Sequence, residues 1–324
     1  MIELPIFSEE EWYISQIKSL FLHGNIKKEN IDKNFNESAV VGALIKQLNE
    51  IVDPDDLKEV PLGNTIIEKL AVAPYPVLRK IYSKILPNYE TIFHKKGQNN
   101  KDLMKDEWKP FCIAYDKLVK RKLNIQIVEK YGIKCCPYCN ENFIFNRKNN
   151  SNAQLDHFYP KEKFPLFAVS LYNLVPSCPA CNHVKQEKQI SISPHDHSQN
   201  FSNMRISYIP KHCNLLQDYR EMDIYFRFGH GDQTFKTNMN QNIEILKLKE
   251  AYQNHKDYVH EILVKAMIYN ETSLNKILEL FPDMHMAKED MLRMIFGNYI
   301  TKDKLLQRPL SKLTMDLLIE LHII

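Results

Sequence analysis

Two CxxC motifs constrain this chain more than any other feature. CPYC occupies residues 136–139 and CPAC occupies 178–181. Thiolates two residues apart converge on one ion, and four of them make the tetrahedral sulfur shell that zinc favours in structural sites. Cys136, Cys139, Cys178 and Cys181 are therefore the expected zinc ligands. A thioredoxin-like redox pair is the competing reading, but two pairs with no βαβ pattern around them speak against it. Cys135 directly precedes Cys136 and offers an alternative thiol, although the CPYC spacing favours Cys136. Cys112 and Cys213 are expected to be ordinary buried thiols. Seven cysteines is an odd count, and MIELPIFSEEEWYISQIKSLF lacks a basic segment followed by an apolar one. Both features point to a reducing, cytoplasmic setting. No apolar run approaches the roughly 18 residues of a membrane span, so no membrane partner is expected.

The two pairs are 38 residues apart, counted between Cys139 and Cys178. An ordinary zinc ribbon has roughly 15 to 20 there, so something is inserted between the halves. Outside this region the chain reads as helical. Only 8 glycines occur in 324 residues, too few for the many turns of a sandwich or barrel. SAVVGALIKQLNEIV (38–52) carries apolar residues at helical spacing, with Asn36 or Ser38 as its cap. IIEKLAV (66–72), VLRKIYSKIL (77–86), residues 103–130, 242–269 and 310–324 also read as helices, and the chain after 214 is expected to be helical throughout. FPLFAVSLYNLVP (164–176) reads as strand or irregular structure. The expected division is an N-terminal helical region (1–130), a zinc-bound module (131–213) and a C-terminal helical region (214–324). The net charge of +3 is too small to imply nucleic-acid binding by itself.

The insert holds LDHFYPK (155–161) and YNLVPSC (172–178), and CPAC is followed at once by NHVK (182–185). Asp156 and His157 in a strand would point to opposite faces. With these residues in place, the stretch from Cys136 to Lys188 resembles the HNH endonucleases. That family's pattern is a strand ending in Asp-His, a loop with a central Asn, and a helix opening with His or Asn. Here these are Asp156-His157, Asn173 and Asn182, followed by Lys185. Within the family, LDHFYPKEKFP and NLVPSCPACNHVK look most like the HNH subunits of Septu-type anti-phage systems, including those attached to retrons, which work with an ATPase partner. Some of those relatives carry an HPYD-like element where this chain has SPHDHS (193–198).

The resemblance implies a mainly α protein with a small embedded α+β module, a zinc-stabilised ββα-metal core flanked by helical regions. It implies an endonuclease that hydrolyses nucleic-acid phosphodiesters, DNA first, in bacterial defence alongside an ATPase subunit. His157 would be the general base, because a neutral imidazole takes a proton from water near pH 7. Asp156 and Asn182 would hold one catalytic Mg²⁺ or Mn²⁺, which prefer such hard oxygen donors. Asn173 would fix the loop and orient His157. Lys185, Lys188 and Lys161 would meet phosphates. His183 competes with Asn182 as the metal ligand, since adjacent helix residues lie about 100° apart and both cannot face one ion. His195, His197 and His212 are expected at the surface or in turns. Residues 134–188 hold seven Lys and Arg against four Asp and Glu, which suits a nucleic-acid substrate as well as it suits a solvated face. Phe143, Phe145, Phe158 and Tyr159 would stack on bases or pack against the module. RNA cleavage by the same site, or a non-catalytic zinc module binding nucleic acid or protein, are the alternatives.

Overall fold

Ser38 opens one of the helices that periodicity predicts. Its side chain accepts a hydrogen bond from the Val41 amide (3.4 Å), and the Ala39–Ile51 helix buries Val41, Leu44 and Leu48. Thr65 and Glu68 form a reciprocal capping box at the start of the Ile66–Val72 helix, which satisfies two amides that the first turn leaves unpaired. Pro76 sits in the first turn of the Tyr75–Ile85 helix, where a missing N–H costs nothing. These details belong to a computed structural model, which describes residues 1–22, 27–97, 102–148, 150–212, 214, 217–280 and 287–324. The protein is mainly helical, 56% by residue, with small two-stranded sheets. Among the described residues no helix is long and apolar enough to cross a membrane.

The Lys109–Lys120 and Leu123–Tyr131 helices follow, separated by Lys122 in the left-handed region (φ 59°). Gly132 (φ 64°) ends the second of them, a conformation that glycine adopts without a Cβ penalty. The cysteine-rich segment starts there. Strand Gln154–His157 pairs antiparallel with strand Leu174–Ser177, so that Asp156 faces Val175 and His157 faces Leu174. The short Pro179–Lys185 helix comes next and packs back on the first strand. The region between the strands forms two 3₁₀ turns, Pro165–Phe167 and Leu171–Asn173, rather than a continuous strand. Pro165 starts the first turn, and its fixed φ outweighs the strand preference of the flanking aromatics.

Three expectations are corrected. Residues Met204–Pro210 and Met222–Phe228 form a seven-pair antiparallel hairpin, so the chain after 214 is not wholly helical. A domain boundary at 213 would cut that hairpin between its strands. The stretch from 103 begins in a short strand, Asp102–Met104, paired with His94–Lys96. The 242–269 stretch is three pieces, Gln233–Ile245, Leu248–Tyr252 and Lys256–Ile268, with Lys247 turning the chain at φ 53°.

One apolar cluster runs through all three regions, from Met1 to Leu318. The Ser311–Glu320 helix packs on the Met204–Phe228 hairpin through a buried pair. Lys312 Nζ donates to Asp316 Oδ2 (3.0 Å) and to the Met204 carbonyl (2.8 Å), while Asp316 accepts from the Ile206 amide (2.9 Å). The cysteine-rich module thus touches both helical regions: its Pro165–Phe167 turn packs on the Lys109–Lys120 helix, and Tyr252 donates to the Cys139 carbonyl (2.6 Å).

Candidate functional site

Each cysteine pair is shaped by local backbone. After CPYC the chain turns sharply: the Asn140 amide donates to the Cys136 carbonyl (2.7 Å), and Asn140 itself is left-handed (φ 55°). Asn is one of the few residues that tolerates this. The Asn140 side chain then bonds the Leu305 carbonyl (2.9 Å) and accepts from the Lys312 amide (2.9 Å), which ties the turn to the C-terminal helix. The second pair opens the Pro179–Lys185 helix: Cys178 caps it, its Sγ accepting from the Cys181 amide (3.4 Å).

The Sγ atoms of Cys136, Cys139, Cys178 and Cys181 all lie within 4.8 Å of one another, and all four residues are buried. Cys139 and Cys178 sulfurs are 3.9 Å apart. Tetrahedral zinc, with Zn–S of about 2.3 Å, requires sulfurs about 3.8 Å apart, so the cluster fits the ion. The Glu141 amide and the Asn142 side chain point N–H groups at Cys139, as outer partners of a thiolate do. Hydrogen bonds from the other three thiols pull the Cys178 thiol well below its ordinary range, so the cluster already favours a thiolate there. Cys135 stands outside the cluster, and burial pushes its thiol up to about 12. Cys112 is half-buried, with its thiol raised to about 11 by burial. Cys213 lies outside the described residues.

Next to the cluster a cavity of about 640 Å³ is lined by Asp156, His157, Asn182, His183, Gln154 and Tyr115, with Lys161 and Glu162 at one side. Asp156 is 4% exposed, and both its oxygens are held. Tyr138 Oη donates to Oδ2 (2.7 Å), and Lys185 Nζ donates to Oδ1 (3.0 Å). Burial raises the Asp156 pKa, and Lys185 and Tyr138 act against that rise. His157 presents Nε2 to the Ala168 carbonyl (2.9 Å) and stacks edge-on with the Tyr115 ring at 4.4 Å. A carbonyl only accepts, so Nε2 carries the proton and Nδ1 is left as the basic nitrogen. Burial lowers the His157 pKa to about 4, so the ring is neutral at pH 7. Asn173 is fully buried and pins the loop that supplies Ala168. Its Oδ1 accepts from the Tyr159 amide (2.8 Å), and its Nδ2 donates to the Tyr159 and Phe167 carbonyls (3.1 and 3.0 Å).

The structure thus brings Asp156, His157 and Asn182 to one cavity, with Asn173 behind it. Asn182 is half-buried and donates to Gln154 Oε1 (2.6 Å), while His183 is exposed at the rim. The expectation for Lys185 is overturned. It is 0% exposed and gives its ammonium to Asp156 and to the His157 carbonyl (2.8 Å), so it does not face a phosphate. Lys188 is exposed, and Lys161 is half-buried against Glu162 (2.6 Å). His195 is also corrected: it is 1% exposed and bonds the Leu174 carbonyl (3.0 Å). His197 pairs with Glu3, and neither residue lines the cavity. Phe158 and Tyr159 are buried against Tyr75 and Tyr82, the packing role expected as the alternative to base stacking.

Tyr138, Tyr115 and Gln154 join the site without any motif that marks them in the sequence. The sole signal for Tyr138 is its place between two cysteines, and spacing says nothing about where its hydroxyl goes. The chain matches no family model, no curated protein and no solved structure.

Proposed function

We propose that this protein is a metal-dependent endonuclease of the HNH, or ββα-metal, type, hydrolysing nucleic-acid phosphodiesters. The observation that carries this reading is one arrangement. A neutral imidazole with a committed Nε2 sits beside a carboxylate and a carboxamide, in a cavity lined by the Gln154–His157 strand and the Pro179–Lys185 helix, the helix that Cys178 caps and Cys181 lies in, two of the four clustered thiols. His157 Nδ1 takes the proton of the attacking water. The Ala168 carbonyl, fixed through Asn173, keeps the ring in the tautomer that this requires. Asp156 and Asn182 would hold Mg²⁺ or Mn²⁺ through hard oxygen atoms, each Asp156 oxygen using the lone pair left beside its bond to Tyr138 or Lys185, and the ion's Lewis acidity would stabilise charge on the phosphate. The cysteines would hold zinc as a structural ion. A silent zinc module would need neither a buried carboxylate at a cavity nor a locked imidazole tautomer.

DNA is the first substrate to try, with RNA as the alternative arm. Plasmid DNA and total RNA incubated with Mg²⁺ or Mn²⁺ test the reading. Cleavage by the wild type is expected to vanish in His157→Ala. The Cys cluster should remain intact there, shown by an unchanged thiolate–Co²⁺ absorption in cobalt-loaded protein. A His157→Ala variant that still cuts at the wild-type rate would sink the assignment. The proposal extends to an effector role in Septu-type defence with an ATPase subunit, and co-purification of an ATPase from the native host tests that extension separately.

A further inference from the structure

We propose that an aromatic and basic strip beside the site, built on Phe143, Phe145 and Arg147 with Lys120, Lys122 and Lys148, docks unpaired nucleotides of the substrate. The proposal rests on the nuclease reading and names the form of its substrate. Residues 143–145 are extended, anchored by the bridge between Cys135 and Phe143. Ile144 is buried, so side chains alternate and Phe143 and Phe145 share the outer face. Phe143 is 42% exposed, and no other Phe or Trp among the described residues is as open. The two rings meet edge to face at 5.3 Å, and the Arg147 guanidinium lies over Phe145 at 5.5 Å. The result is a continuous ladder of ring, ring and planar cation along a solvent face. Leaving such a surface in water is unfavourable for a monomer, whereas nucleobases stack on just this combination.

Charge identifies the occupant as polyanionic. The hairpin Asn146–Arg147 with Asn150–Ser151 is tied to the Leu123–Tyr131 helix by the Asn146 side chain, which donates to the Ile125 carbonyl (2.9 Å). Residues 117–128 contain no Asp or Glu, and neither do residues 142–155. The Asn146–Ile125 bond joins these two acid-free segments, one carrying Lys120, Arg121 and Lys122 and the other Arg147 and Lys148. Arg121 is used by Ser19 (2.8 Å). Lys120, Lys122 and Lys148 are exposed and form no ion pair with a described residue. A partner protein with an apolar patch would not call for this uncompensated positive charge. The strip lies close to the cavity along the chain, because at most roughly 10 Å, three residues at about 3.3 Å each, separates Ser151 from Gln154, which lines it.

The test is equilibrium binding of the full, zinc-loaded chain to a fluorescent oligo(dT) and to a duplex of equal length, without added Mg²⁺. Stacking on one aromatic is worth roughly 1–3 kcal/mol, so Phe143→Ala and Phe145→Ala should each weaken oligo(dT) binding roughly 5- to 150-fold. Phe143→Leu should be as weak as Phe143→Ala, since it keeps apolar bulk and loses the ring. Lys122→Gln and Lys148→Gln should each lower the salt slope by about 0.7. Duplex affinity should change little in the aromatic variants. Cobalt–thiolate absorption and the melting temperature confirm folding. Aromatic variants that bind oligo(dT) like a wild type that cuts DNA would overturn the strip alone. A wild type that binds neither probe would overturn the strip and the nuclease reading together. Loss of a co-purifying protein in Phe143→Ala, with oligo(dT) binding intact, would reassign the surface to that protein and overturn the proposal.

Discussion

Replacing Lys185 with Met separates the structural reading of this lysine from the phosphate-contact reading that its position after Asn182 suggests. Met keeps most of the stem volume and removes the ammonium. Two contacts are lost, the 3.0 Å bond to Asp156 Oδ1 and the 2.8 Å bond to the His157 carbonyl. What remains is a carboxylate only 4% exposed, with the Tyr138 hydroxyl as its one strong partner. Removing one member of a buried pair typically costs about 3–5 kcal/mol, because the other charge stays desolvated and uncompensated. Total stability of a natural domain is about 5–15 kcal/mol, so the loss should be plain in urea unfolding of zinc-saturated protein at neutral pH. Asp156→Asn alone strands the ammonium and should cost a similar amount. The double variant Lys185→Met with Asp156→Asn removes both charges, and its cost should fall short of the sum by more than about 1 kcal/mol, as coupled residues in contact do. A phosphate-contacting lysine behaves otherwise: stability stays near wild type, and the salt slope of nucleic-acid binding drops by about 1. Unfolding of Lys185→Met within 1 kcal/mol of wild type, or strict additivity in the cycle, would refute the reasoning.

Two further outcomes follow from the same geometry. Stripping metal from the four-thiol cluster should unfold roughly residues 131–200 by hydrogen exchange, since zinc binding in such sites is worth on the order of 10 kcal/mol or more; full protection of that segment after verified metal loss would contradict it. Acid should also weaken the fold through His195. Burial lowers its pKa from 6.5 to about 4, so between these values the unfolded chain binds the proton and the folded one does not. Stability therefore declines as pH falls from about 6.5 towards 4 and this contribution levels off below, a loss of about 3 kcal/mol at about 1.4 kcal/mol per unit. The slope should be shallower in His195→Gln over the same window, and equal slopes would show that the buried ring is not responsible.

Much of the helical frame was legible because capping and periodicity are local. Ser38, the Thr65–Glu68 box and Pro76 mark helix starts within one turn of where they occur. The Met222–Phe228 strand was not legible. MDIYFRF does alternate apolar and polar residues, but within a chain read as helical its partner across the connection is what makes it a strand, and no turn signal declares that pairing. The cysteine set was legible because four thiols at two CxxC spacings have few other uses, and the structure gathers those four and excludes Cys135.

Lys185 shows where sequence spacing stops being informative. Asn182 and Lys185 are three apart on a helix, so reading them as neighbours facing one ligand is reasonable from helix geometry. Asp156, however, sits in a strand between Leu155 and His157 and points inward. A carboxylate carried that deep cannot stay ionised without a cation and a donor beside it. Both partners come from the cysteine motifs themselves. Tyr138 lies inside CPYC, and Lys185 lies one turn beyond CPAC. Each cysteine pair therefore supplies one hook for the same carboxylate, across sequence separations of 18 and 29 residues. No local pattern encodes that, because it exists only once the two pairs are brought together. An ion that closes the thiol cluster would thus also fix the position of Asp156 at the cavity.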